Sequence, residues 1–103
     1  MKVWVDDVRL PPAKDWTFAT SVHAAIALME TGLVTEASLD HDLGAELPTG
    51  YDFCLWMAEH DIWPRERIAV HSANPVGAAR MVGVIERYGP FRRIPSSWRF
   101  ERR

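Results

Sequence analysis

A chain of 103 residues has room for one domain around one hydrophobic core. Hydrophobic content of 48% and charged content of 25% are those of a globular protein, and a net charge of −2 creates no overall field toward nucleic acid or a membrane surface. The single cysteine, Cys54, excludes an internal disulfide and points to a reducing, cytoplasmic setting; no run is long enough to span a membrane, and the N-terminus lacks a signal-peptide core.

Val3-Trp4-Val5 is a short apolar, β-branched run ending at Asp6-Asp7, which predicts a first strand. Pro11-Pro12 forbids a helix interior after it, and Trp16 to Ala19 alternates as a second strand. Ser21 is a helix N-cap, Val22, Ala25, Ile26 and Met29 repeat on one face, and Gly32 supplies the stop after about Thr31. His23 falls off that face and reads as a surface residue. A third strand runs from Ala37 to Asp40. Pro48-Thr49-Gly50 then breaks the chain before a helix from Tyr51 to about His60, with Cys54, Leu55 and Ala58 as its buried stripe.

Ile68-Ala69-Val70 predicts a fourth strand that ends at His71-Ser72. Asn74-Pro75 is a strong helix start, Ala78, Met81, Ile85 and Tyr88 mark its inner face, and Gly89-Pro90 ends it. In the tail, Trp98 and Phe100 alternate like a last edge strand. Strands alternating with helices imply a mostly parallel sheet of four or five strands in a single domain spanning 1–103. Ligands of such sheets bind beyond the carboxyl ends of the strands, so Asp6-Asp7, Asp40-His41-Asp42 and His71-Ser72 should meet at one edge.

These residues resemble a known pattern. Receiver domains of response regulators carry an acidic pair after the first strand, an aspartate after the third, and Ser or Thr after the fourth; here Asp6-Asp7, Asp40 and Ser72 stand in those places. The closer resemblance is to the cyclic-phosphate processing receiver domain. It is carried by Val5-Asp6-Asp7-Val8-Arg9-Leu10-Pro11-Pro12, Ser38-Leu39-Asp40-His41-Asp42-Leu43-Gly44, Thr49-Gly50-Tyr51-Asp52 and His71-Ser72-Ala73-Asn74-Pro75. The resemblance implies a small flavodoxin-like, three-layer α/β fold and a role in handling cyclic phosphates at RNA ends. The chain departs from ordinary receivers in three ways. Its only lysines, Lys2 and Lys14, come far too early to be the lysine that follows the last receiver strand; the stretch between its first two strands is too short for the usual first helix, which is therefore expected to be reduced; and Asp40 to Gly50 is longer than the receiver spacing, which Asp42 to Gly50 fits better, so the phospho-acceptor place is open between Asp40 and Asp42.

Clustered carboxylates repel unless a cation joins them. Oxygen donors favour Mg²⁺ or Mn²⁺, with Asp6, Asp7 and Asp40 as candidate ligands and Asp42 as a spare; a site that recruits histidine instead would suit Mn²⁺, Zn²⁺ or Fe²⁺. His41 and His71 are candidates for acid and base, beside Asp40, in opening a cyclic phosphate. Ser72, the amides at Asn74 and the Arg9 guanidinium are candidate phosphate contacts. Each has a structural alternative: Asp7 as a turn cap, Arg9 in a surface ion pair, either histidine as a satisfied scaffold residue. The arginine-rich tail, with Phe91, Trp98 and Phe100 interleaved, reads as a solvated tail with a packed strand or as a charged, stacking RNA contact. The expected function is a metal-dependent phosphoric ester hydrolase acting on a phosphate-ester or nucleotide ligand, RNA included, with no membrane partner. Its rivals are a non-enzymatic binding module and a phospho-accepting signalling domain.

Overall fold

The computed structural model describes residues 1–43 and 48–103. Strands Lys2–Val5 (β1), Trp16–Ala19 (β2), Glu36–Leu39 (β3), Arg67–Val70 (β4), Phe91–Arg93 (β5) and Arg99–Arg102 (β6) form one sheet in the order β2-β1-β3-β4-β6-β5. The first four run parallel; β6 is antiparallel to both β4 and β5. Helices Val22–Met29 (α1), Gly50–His60 (α2) and Pro75–Tyr88 (α3) connect the parallel strands and pack in a row, α1 on α2 on α3.

The helix starts follow their capping residues. Ser21 Oγ accepts from Ala24 N, Asn74 Oδ1 accepts from Gly77 N, and Thr49 and Asp52 form a reciprocal capping box. Gly32 turns the chain out of α1 at φ +73°, a conformation that costs glycine nothing. The buried faces differ in detail from the sequence reading. In α2 the inward residues are Phe53, Cys54 and Met57, with Leu55 and Ala58 only half-buried, and in α3 Tyr88 is exposed. Cys54 is fully buried, and burial pushes its thiol far up, out of the reactive range.

The receiver-like α/β class holds, with two differences from expectation. The sheet has six strands rather than four or five. The additional pairing comes from the tail, where Phe100 is buried opposite Ile68, so β6 lies inside the sheet and β5 becomes the edge. The second difference is in layering. Val3, Val5, Ala37, Leu39, Ile68 and Val70 are buried under the helices, whereas Lys2, Trp4, Trp16, Phe18, Arg67 and Arg99 alternate onto the other face and stay at least partly exposed. Among the described residues no helix covers that second face, so the fold is two-layered. The cause is short connections. Asp6 to Asp15 cross from β1 to β2 as a loop with two prolines, and β5 returns through a turn to β6 instead of through a helix.

Candidate functional site

The sheet ladder continues one residue beyond the parallel strands. Asp6 N donates to Ala19 O, Asp40 N to Val5 O and His71 N to Leu39 O, at 2.9–3.1 Å. Asp6, Asp40 and His71 are therefore neighbours across three strand ends. Alternation turns them toward the open face, the same side as Trp4, Ser38 and Ala69 two positions earlier.

Asp6, Asp7 and Asp40 each offer a carboxylate oxygen within 4.8 Å of the others. Asp6 is fully buried. Its Oδ1 accepts from the amides of Val8 (2.9 Å) and Arg9 (3.0 Å), and its Oδ2 accepts from His71 Nε2 (2.9 Å). Burial pushes the Asp6 carboxyl up, but the two amides and the imidazole outweigh it and hold its pKa below the usual value. Asp7 is exposed, and Asp40 is half-buried with Oδ1 accepting from His41 N.

His71 is held on every side. Its ring stacks on Trp4, Nε2 faces Asp6, and Nδ1 lies 2.8 Å from Ser38 Oγ. Burial lowers its pKa, and the opposing pull of Asp6 does not restore it. The neutral ring then carries its proton on Nε2, donates to Asp6, and accepts the Ser38 hydroxyl at Nδ1. Both nitrogens have partners, so His71 is built to orient Asp6. Arg9 also serves this scaffold, donating from its guanidinium to the His71 carbonyl at 3.0 Å.

His41 is different. Its Nδ1 lies 2.8 Å from Asp42 Oδ1, and among the described residues Nε2 has no hydrogen-bond partner. The ring packs against the α-carbon of Gly77, where any side chain would collide with it. Gly50 has a related role. Its amide donates to His41 O, and a Cβ there would overlap the Asp40 carbonyl, so glycine lets α2 close against the strand end.

The structure thus brings Asp40 to the acidic pair, while Asp42 pairs with His41 and accepts from Asn74 Nδ2 at 3.4 Å. Ser72 Oγ accepts from Asn74 N, which leaves its own proton free to donate. Gly44, the last residue of the 38–44 motif, lies outside the described residues. Sequence reasoning did not single out Ser38, Trp4 or Gly77. For Ser38 and Trp4 a signal existed, since each stands two residues before a strand-end aspartate and so shares its face.

In the tail, Phe91 and Phe100 are buried in the core and unable to stack on a ligand, whereas Trp98 is exposed. No helix among the described residues is long and apolar enough to cross a membrane.

A mostly parallel sheet with an acidic pair after its first strand and an aspartate after its third defines a receiver-like domain. The chain belongs to the cyclic-phosphate processing receiver domain family, whose model matches residues 1–87. No curated protein and no solved structure matches it.

Proposed function

We propose that this domain is a divalent-cation-dependent phosphoric ester hydrolase that opens a cyclic phosphate on a nucleotide or RNA end in a reducing, cytoplasmic compartment. The observation that carries this reading is the convergence of Asp6, Asp7 and Asp40 oxygens within 4.8 Å. An all-oxygen donor set suits Mg²⁺ or Mn²⁺ and not a histidine-rich Zn²⁺ site, since His71 is committed to Asp6 and Ser38. A bound cation would neutralise the carboxylates and polarise the phosphoryl group.

The remaining chemistry falls to the chain. Water adds to phosphorus, one ring P–O bond breaks, the water proton passes to a base, and the ribose oxygen leaves with a proton. His41 Nε2 is the group available for one of these transfers, with Asp42 fixing the tautomer from the far side of the ring. Ser72 Oγ–H keeps a proton to donate to a phosphate, and in the first turn of α3, where Pro75 has no N–H and the Gly77 amide is capped by Asn74, the Val76 amide is the second such donor. The test is hydrolysis of a 2′,3′-cyclic nucleotide with Mg²⁺, Mn²⁺ or Zn²⁺ supplied in turn. Turnover that needs Mg²⁺ or Mn²⁺ is expected; no turnover with any cation overturns the reading.

A second reading, a non-enzymatic module that binds a phosphate ester, is favoured by one observation: His71 has both ring nitrogens occupied, which leaves a single histidine for proton transfer. Retained binding of a cyclic nucleotide without turnover would select it.

A further inference from the structure

We propose that the helix-free face of the sheet is a binding surface for single-stranded RNA, with the strand's terminal phosphate at the acidic edge. The placement of the terminus rests on the hydrolase reading above; the binding surface itself does not. Two adjoining hollows of about 420 and 410 Å³ occupy this face, sharing Trp4, Pro12, Ser38, Ala69 and Arg99. One extends to Trp16 and Arg67, the other to Trp98 and His71. Together they form a continuous groove across β1, β3, β4 and β6 that ends at the histidine holding Asp6.

The chemistry of the groove favours a polyanion with flat bases. Three of the four acidic or basic side chains lining the larger hollow, Lys2, Arg67 and Arg99, are cations and the fourth is Glu36; Lys2 is paired with Asp15 at 3.0 Å. Among the described residues neither Arg67 nor Arg99 has an ion-pair partner, although the protein as a whole is acidic. Two cations side by side in one hollow, with no carboxylate bonded to either, attract an anion more strongly than the same charges scattered over the surface. Trp16, Phe18 and Trp98 present aromatic surface on the same side, with Phe18 37% and Trp98 36% exposed. Open sheets that combine aromatic and cationic side chains hold roughly two or three unpaired bases, stacked on the rings while the backbone follows the charges. A duplex cannot lay its bases on such a surface.

The Ser38–His71–Asp6 chain links the two regions. Ser38 lines both hollows, donates to His71, and His71 donates to the buried carboxylate of the acidic cluster. A strand lying over Ser38 therefore sits next to the site where its end would react.

The test is fluorescence anisotropy with a 5′-labelled eight-nucleotide RNA ending in a 3′-hydroxyl, which binds without any cyclic phosphate. Salt is titrated, and Arg67→Ala, Arg99→Ala, Trp98→Ala and the distant exposed Arg87→Ala are compared with wild type. Each groove arginine variant should reduce the salt slope by about 0.7 and weaken binding, and Trp98→Ala should cost about 5-fold or more. Arg87→Ala should bind as wild type. Equal losses in Arg87→Ala, duplex RNA bound as tightly as single-stranded RNA, or no loss in the three groove variants would overturn the proposal. So would a dimer in sedimentation that Arg99→Ala converts to monomer, since a second copy would then own this face. RNA binding without turnover sinks the hydrolase reading and leaves the groove. Turnover of a cyclic mononucleotide with no gain in KM for the oligonucleotide sinks the groove and leaves the hydrolase.

Discussion

His71 lies flat on Trp4, with ring centroids 3.9 Å apart and planes within 6°. The stack covers one face of an imidazole whose two nitrogens are already bonded, so the ring is fixed in rotation, tilt and tautomer. Trp4 in turn is anchored by its own Nε1–H, which donates to Arg9 O at 2.9 Å. A side chain held this firmly is suited to orienting a carboxylate and poorly suited to swinging toward a substrate.

Stability should follow the charge state of this pair. Burial lowers the His71 pKa from 6.5, so its contribution is complete above about pH 6.5 and is lost as pH falls through the folded-state value. Asp6, with its pKa held below 3.8, adds a second loss below that pH. Urea denaturation from pH 7 to pH 5 should show wild-type stability declining, and His71→Gln should flatten that limb. An equal slope in the variant would mean the pH dependence belongs elsewhere.

The two histidines should separate in their effects. His41→Gln should lower kcat on a cyclic nucleotide by about 10²–10⁴ with little change in Tm. His71→Gln should instead lower Tm, because the buried Asp6 carboxylate loses its ring donor, at a cost of about 1–3 kcal/mol. Steady-state kinetics and thermal melts on both variants make the comparison; a fully active His41→Gln protein would contradict the assignment.

Gly50→Ala and Gly77→Ala should fail in different ways. A methyl at 50 meets the backbone carbonyl of Asp40, which cannot yield, so the loss should reach the upper end of the ~1–3 kcal/mol seen for overpacking. A methyl at 77 meets the His41 ring, which can turn away. Stability should then change little while kcat falls toward that of His41→Gln. Denaturant midpoints and turnover on the two variants decide it.

Cation linkage should be visible without any substrate. Saturating Mg²⁺ or Mn²⁺ at about 100 times its Kd should stabilise wild type by about 2.7 kcal/mol. Asp7→Asn removes one of three mutually repelling carboxylates, so its cation-free Tm should rise while the gain on adding cation shrinks. A wild-type Tm indifferent to every divalent cation would count against the cluster as a metal site.

Much of this arrangement is decided locally and was legible in the chain. Four strands, three helices and the caps at Ser21 and Asn74 follow from alternation, helical spacing and short-range hydrogen bonding, which depend on neighbours a few residues away; Thr49, read only as part of a chain break, proves to be the cap of α2. The convergence of Asp6-Asp7 with Asp40 also followed, because parallel strands deliver their carboxyl ends to one edge. Other features depend on residues far apart in sequence. The tail's third and fourth residues, Arg93 and Ile94, give no sign that Phe100 will pair beside Ile68 and carry β6 into the sheet; only burial across more than thirty positions decides it. His71 and His41 look equivalent as strand-end histidines, and they part only when Trp4, Ser38 and Asp6 close around one while Gly77 and Asp42 flank the other. The bare face of the sheet was foreshadowed by the proline-bearing loop after β1. Its extent depended on where the chain goes after α3, because a helix in place of the β5–β6 turn would have covered it. Local propensity determines the elements; which surfaces and ring nitrogens they leave free is settled by contacts made only when the whole sheet has formed.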